Sequence, residues 1–265
     1  MPTNSAPSTS PHIGLHIDDS GRTACVTLSN PRRMNAMTRA MWRQLHTVFL
    51  TLQAQAGLRA IVVRGAGEHF CAGGAIDEYP SFRFDVASLR EFHEAEVWGG
   101  LAAMLACDVP IIAAIEGNCM GAGVEIAACC DIRIASRDSR YAAPIARLGF
   151  AMAPRELQLV GRELGLNTAR AMLLEAATFD AESLCQRAFL TRLCTAGSAV
   201  ADAQASAARI TALAPAAARQ HKRWLRALGN GEPLDSLLTD AYDYAASAEH
   251  REGITAFLEK RRPEF

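Results

Sequence analysis

Ile111-Ile-Ala-Ala-Ile115, then Glu116-Gly117-Asn-Cys-Met-Gly121-Ala-Gly123-Val-Glu125, then Ile126-Ala-Ala-Cys129 is the stretch that decides the fold. Five consecutive apolar residues between Pro110 and Glu116 read as a strand buried on both faces, and Gly121–Cys129 reads as a helix. A buried strand that turns through glycines into a helix is the elementary unit of a parallel α/β sheet.

The unit recurs on either side. Upstream, Ala60-Ile-Val-Val63 is a short buried strand and Leu89–Cys107 a helix; downstream, Asp131–Ala135 is another strand. Nearer the start, Ile13–Ile17 and Ala24–Leu28 flank the turn formers Asp18-Asp19-Ser20-Gly21, which predicts an antiparallel hairpin. Between hairpin and core, Met41, Leu45, Val48, Phe49 and Leu52 recur at helical spacing, with Thr38 as N-cap and Gly57 as stop. Beyond about Arg155 strand signals fade and helices are expected at Asn167–Leu174, Ala181–Ala188, Val200–Leu213, Ala216–Leu228 and Leu234–Ala248. The expectation is an α/β core over residues 13–200, a helical C-terminal region over 201–265, and a disordered Ser/Pro-rich tail over 1–12.

Bulk properties narrow the function. The 265 residues are 50% hydrophobic and 21% charged with a net charge of −1, so no electrostatic excess draws the chain to nucleic acid or an anionic membrane. Eight cysteines lie mostly in apolar runs with no Cys-x-x-Cys pair; they read as buried reduced thiols, hence a cytoplasmic chain. The first twelve residues lack the basic start and apolar stretch of a signal peptide, and Gly, Glu or Asp interrupts the longest apolar runs, so no membrane span is expected.

Two loops of small residues each follow a predicted strand: Phe70-Cys-Ala-Gly-Gly74-Ala75 and Gly117–Glu125. Ligands of parallel α/β sheets sit at such carboxyl ends, where small residues admit a ligand to the backbone N–H groups. Tight strand-to-helix turns alone would also explain the glycines. Neither loop ends in Gly-Lys-Ser/Thr, and Gly121-Ala-Gly123 lacks the third glycine of the dinucleotide pattern, which disfavours an NTPase or a Rossmann dehydrogenase. Glu125 is a lone carboxylate in an apolar helix start. Burial there would raise its pKa toward the range of a general acid/base, although a first-turn Glu also complements the helix dipole.

Other candidates carry less. His69, His93 and His221 have no visible partner in the sequence, and Glu91-Phe-His-Glu94 brings only one imidazole, so no metal is predicted. Ser136 and Ser183 lack the Gly-x-Ser-x-Gly elbow, and Cys129-Cys130 lack a base, so a covalent nucleophile is not expected.

Asn30-Pro-Arg-Arg-Met-Asn-Ala36, Phe70-Cys-Ala-Gly-Gly74, Ile112 through Glu125, Cys130-Asp-Ile-Arg-Ile-Ala135 and Gly253 through Arg261 resemble, in order, the signatures of the enoyl-CoA hydratase/isomerase (crotonase) family. That resemblance implies a crotonase-like ββα spiral core, an acyl-CoA or enoyl-CoA substrate, no cofactor beyond the CoA it carries, and a homotrimer or dimer of trimers formed through the C-terminal helices. It implies an oxyanion hole from the backbone N–H groups of Gly74 and Ala122, with Glu125 as acid/base. It also implies CoA contacts from Arg32, Arg33, Ala36, Ala72 and Ile76, with Phe257 and Lys260 reaching the adenine.

The departures matter too. Hydratases of the family carry a second glutamate in a Pro-Glu pair where this chain reads Pro144-Ile145, and the following Gly-rich stretch is shortened to Leu148–Glu156. Ala75 replaces the usual Asp and Ala122 a glycine, changes that leave backbone donors intact. An isomerase-like or otherwise non-standard enzyme working through Glu125 alone is the reading favoured by the sequence. The alternatives are a hydratase whose second acid has moved to Asp77, Glu78 or Glu156, and a catalytically weak acyl-CoA binding protein.

Overall fold

The computed structural model describes residues 10–265. The tail expected over residues 1–12 lies outside the described residues as far as residue 9, and His12 already opens the first strand.

Strands β1 (His12–Ile17) and β2 (Thr23–Ser29) form the expected hairpin, with Ile13 opposite Leu28. They continue into β3 (Ala60–Gly65), β4 (Ile111–Ile115), β6 (Ile132–Ser136) and β9 (Arg192–Cys194), giving a six-stranded sheet in the order β1-β2-β3-β4-β6-β9. All pairs after the first are parallel. A second sheet joins β5 (Asn118–Met120), β7 (Arg140–Ala142) and β8 (Phe179–Asp180). Strand-length signals miss β5, β8 and β9 because two or three residues cannot show a period; pairing with distant partners makes them strands.

Alternation on the central strands explains why both faces of the sheet are covered. Ile61, Val63, Ile111, Ala113 and Ile115 enter the main core with α1 (Arg39–Gln53), whereas Ala60, Val62, Ile112, Ala114 and Ile134 face Ala199, Ala203 and Ala207 of a helix from the C-terminal part of the chain. Thr38 caps α1, its side chain accepting from the Met41 N–H at 3.2 Å. The helix stops at Gln53, short of Gly57, because a turn closed from Leu58 N–H to the Gln55 carbonyl buries Leu58.

The helix expected over Leu89–Cys107 is interrupted. Following α2 (Val86–Glu91), residues Phe92–Val97 form a π-helical turn before α3 (Trp98–Ala106). The wider turn buries Phe92, Glu96 and Val97 together, and the buried Glu96 is neutralised by Arg39 and Arg43 at 2.8 and 2.6 Å.

The remaining helices are α4 (Ala122–Ala128), α5 (Pro154–Leu164), α6 (Leu166–Leu174), α7 (Ala181–Gln186), α8 (Ala199–Thr211), α9 (Pro215–Gly229), α10 (Leu234–Leu238) and α11 (Ala248–Leu258). The boundary expected between residues 200 and 201 falls within α8, whose Ala199, Ala203 and Ala207 seal the second face of the sheet. The helix expected over Leu234–Ala248 is broken into α10 and a 3-10 turn at Asp243–Ala246, after which Ser247 caps α11 by accepting from His250 N–H at 3.1 Å.

Candidate active site

Parallel pairing of β3 and β4 brings their two outgoing loops side by side, and the backbone laces them together. Phe70 N–H donates to the Glu116 carbonyl at 2.8 Å, Cys71 N–H to Asn118 at 3.0 Å, and Met120 N–H back to Cys71 at 2.8 Å. Met37 N–H donates to Gly73 and Ala75 N–H to Met37, both at 2.8 Å, while Gly121 N–H donates to Ala142 at 2.8 Å. The Gly74 and Ala122 N–H groups are left over: neither has a protein acceptor among the described residues. A backbone donor with no partner inside an otherwise satisfied loop is open to a ligand.

Two glycines make the close approach possible. Gly121 has φ +45°, and a β-carbon there would lie 3.6 Å from Gly73 Cα. At Gly123 a β-carbon would come 2.8 Å from the Cys71 carbonyl oxygen, so only glycine lets α4 lie this close to the first loop. Met34 and Asn35 take left-handed φ of 47° and 61°. The Asn35 amide, fully buried, donates to the Ala66 and His69 carbonyls at 2.8 and 2.7 Å and fastens the first loop. Its role escaped the sequence reading, although Asn35 stands inside a quoted signature.

Glu125 sits in the first turn of α4, 8% exposed, with no hydrogen-bond partner among the described residues. Burial pushes its carboxyl well above the usual range, and the nearby Glu156 carboxylate adds to the effect. Glu156, 3% exposed in the first turn of α5, is held by His93 Nδ1 at 2.8 Å. Pro154 opens α5, and packing of α5 on α4 brings Glu156 into the field of Glu125.

Of the three candidates for a moved second acid, then, only Glu156 comes to the site. Asp77 is an exposed partner of Arg33 at 3.1 Å, and Glu78 accepts from the Arg39 N–H at 2.8 Å at the start of α1. Ile145 is half-buried on the 3-10 turn Ile145–Leu148, packed against the main core. His93, partnerless in the sequence, gains Glu156 on one ring nitrogen and stands 3.5 Å from Arg83 Nη1 on the other. Arg83 stacks over Phe150 at 3.8 Å and Tyr79 at 4.5 Å. Tyr79, Arg83 and Phe150 carried no signal in the sequence, and nothing there joined them to His93 or Glu156: the five share no spacing and meet only in the fold.

The expected CoA residues divide into two groups. Arg32 and Arg33 form an exposed 3-10 turn, Ala36 is buried, and Ala72 and Ile76 follow on the adjoining loop; Ala72 N–H donates to the Met34 carbonyl at 2.9 Å. These five gather along one rim of the loop pair. Phe257, 81% exposed, and Lys260 lie on and just past α11, whose main packing partner is the turn Asp243–Ala246. A cavity of about 880 Å³ also lies there, between α9, α10 and α11, lined by Trp224, Leu237, Tyr242, His250 and Ile254. It holds none of the residues of the loop pair.

Comparison with known proteins agrees with this architecture. Residues 19–265 match the family model described as enoyl-CoA hydratase/isomerase, and the chain belongs to that family of acyl-CoA enzymes. It is 33% identical to a Mycobacterium bovis protein named "Probable enoyl-CoA hydratase echA6" over 91% of this chain and 94% of the relative. A second protein of that organism, "Probable enoyl-CoA hydratase echA8", is 28% identical over 92% and 94%. Among solved structures, an enoyl-CoA hydratase/carnithine racemase of Magnetospirillum magneticum superposes with a TM-score of 0.91 at 33% identity, covering 96% of this chain and 94% of that one. An enoyl-CoA hydratase of Mycobacterium smegmatis superposes with a TM-score of 0.87 at 26% identity, covering 96% and 99%. No helix among the described residues is long and apolar enough to cross a membrane.

Proposed function

We propose that this enzyme hydrates a 2-enoyl-CoA thioester, with Glu156 in the role of the carboxylate that Ile145 does not supply. The observation that carries the reading is a buried, unpartnered carboxyl, Glu125, whose pKa burial raises, in the field of Glu156, which His93 Nδ1 holds at 2.8 Å. Two carboxyls in different surroundings, one buried without a partner and one held by an imidazole, can divide acid and base work between them.

In this mechanism the Gly74 and Ala122 N–H groups hold the thioester carbonyl. Glu156 takes a proton from a water whose oxygen bonds to C3, and the C2–C3 π electrons move onto the thioester oxygen as an enolate. Collapse of the enolate draws the Glu125 proton onto C2, and proton transfer from Glu156 to Glu125 restores the start. Each backbone donor at the oxygen contributes roughly 2.7–4 kcal/mol to the barrier by analogy with other such sites. The rim formed by Arg32, Arg33, Ala36, Ala72 and Ile76 is assigned to the CoA, with Phe257 and Lys260 toward adenine; no further cofactor is called for.

A second reading, double-bond migration by Glu125 alone, is favoured by one observation: Glu125 is the partnerless carboxyl of the two and is free to carry a proton between carbons. Proton exchange at C2 in deuterated water and hydration, measured together for wild type and Glu156→Gln, distinguish the two. Loss of hydration with exchange retained supports the hydratase; hydration unaffected by Glu156→Gln would remove Glu156 from that role, and a wild type that exchanges at C2 without hydrating would favour the isomerase-like enzyme. Binding of a broad acyl-CoA panel without turnover would leave only the binding-protein alternative.

The C-terminal surface fits self-association. Leu225, Leu234, Tyr242, Ile254 and Phe257 are all more than half exposed, and a homotrimer or dimer of trimers would cover such faces. The eight free cysteines accord with a cytoplasmic location.

A further inference from the structure

Tyr79 takes no part in the reaction as written above, yet its hydroxyl stands against the backbone that carries the Gly74 N–H. A β-carbon built on Gly74 would overlap the Tyr79 hydroxyl oxygen and lie 3.1 Å from Tyr79 Cζ. The ring is fixed from several sides. Phe82, Phe92 and Phe150 meet it edge-on at centroid separations of 5.8, 6.4 and 6.1 Å, and the Arg83 guanidinium lies 4.5 Å over its face.

The hydroxyl at the end of this clamped ring has no hydrogen-bond partner among the described residues. By contrast the phenol of Tyr141, which is fully buried, pairs with Ser139 Oγ at 3.0 Å. The free Tyr79 O–H is therefore available to an acceptor seated against it. The nearest ligand atom the enolate mechanism puts there is the oxygen bound by the Gly74 N–H.

We propose that Tyr79 is a catalytic residue whose hydroxyl donates a third hydrogen bond to the thioester oxygen held by the Gly74 and Ala122 N–H groups. The assignment rests on the enolate reading of the site and adds a side-chain donor to its two backbone donors. Burial raises the Tyr79 phenol above its ordinary value, Arg83 opposing, so the group stays a protonated donor at neutral pH. The Arg83 cation over the ring draws electron density from it and makes the O–H a stronger donor. Because negative charge grows on the oxygen only as the enolate forms, the bond strengthens most in the transition state.

Tyr79→Phe removes the hydroxyl and keeps the ring with its aromatic and Arg83 contacts. The expected result is a fall in kcat of about 10²-fold with KM within about threefold of wild type, the pattern of a donor used in the transition state. The second measurement is the red shift in absorbance of bound 2,4-hexadienoyl-CoA, which reports polarisation of its carbonyl and is read on folded, ligand-loaded protein. A smaller shift in Tyr79→Phe supports the assignment. An undiminished shift overturns it, whatever happens to kcat. A wild type that binds the dienoyl-CoA with no shift at all overturns the enolate reading and the assignment with it, whereas a full wild-type shift equal to that of Tyr79→Phe overturns the role of Tyr79 alone.

Discussion

The loop pair and the polar wall facing it are built on opposite principles. Gly73, Gly74, Gly121 and Ala122 contribute backbone, laced by hydrogen bonds within 50 residues of chain. Tyr79, Arg83, His93 and Glu156 contribute side chains from a 3-10 turn, a π-helical turn and the start of α5. In the first region the offered groups are backbone N–H donors, which do not depend on the side chains they belong to. On the wall, position in the fold decides which charge is in place: Ile145 packs on the core while His93 holds Glu156. Glu125 stands between the two regions, on the helix of one and within the field of the other.

That contrast can be broken most severely at Glu125. Glu125→Gln is expected to lower turnover about 10³-fold, within the usual range for losing a general acid. Stability should move the other way. Because the folded carboxyl keeps its proton above the ordinary 4.5, the unfolded chain binds fewer protons and wild-type stability falls as pH rises from 4.5 toward the folded value. The slope approaches about 1.4 kcal/mol per pH unit for one proton, and Glu125→Gln should flatten it in denaturant titrations across pH 4.5–7.5. An unchanged slope would mean that Glu125 is ionised in the folded enzyme.

Glu156→Gln tests the wall, with hydration expected to fall about 10²-fold while C2 exchange continues. Gly123→Ala tests the lacing. Its methyl meets the Cys71 carbonyl and Cβ at 2.8 and 3.0 Å, so a loss of about 1–3 kcal/mol is expected, seen as a lower melting temperature. Catalysis should drop with it as α4 shifts from the first loop; full activity would show that the two N–H groups need no fixed spacing.

Ile145→Glu sharpens the comparison by restoring the carboxylate at the position family hydratases use. With Glu156 already in place, hydration should not rise, and about 1–2 kcal/mol of stability should be lost as a half-buried apolar side chain becomes charged. A clear gain of hydration would show instead that the wall lacks a working base. Arg33→Ala has the smallest effect, a few-fold rise in KM with under about 1 kcal/mol of stability, since its pair with Asp77 is more than half exposed on both sides.

The hairpin, the Thr38 cap, the central strands and both glycine loops were legible because local rules dictate them: alternation, capping and the φ > 0 that glycine permits. Glu125 was legible for a related reason, a carboxylate where its neighbours are all apolar. The sequence by itself therefore determined the sheet, the paired loops and the acid on α4. Only the tertiary structure decided that Glu156 rather than Asp77 or Glu78 stands by Glu125, that His93 has a partner, and that Tyr79 reaches Gly74. Those contacts join residues tens of positions apart through the π-helical turn and the start of α5. Each is a packing outcome summed over many apolar neighbours, which no local pattern of residue types encodes.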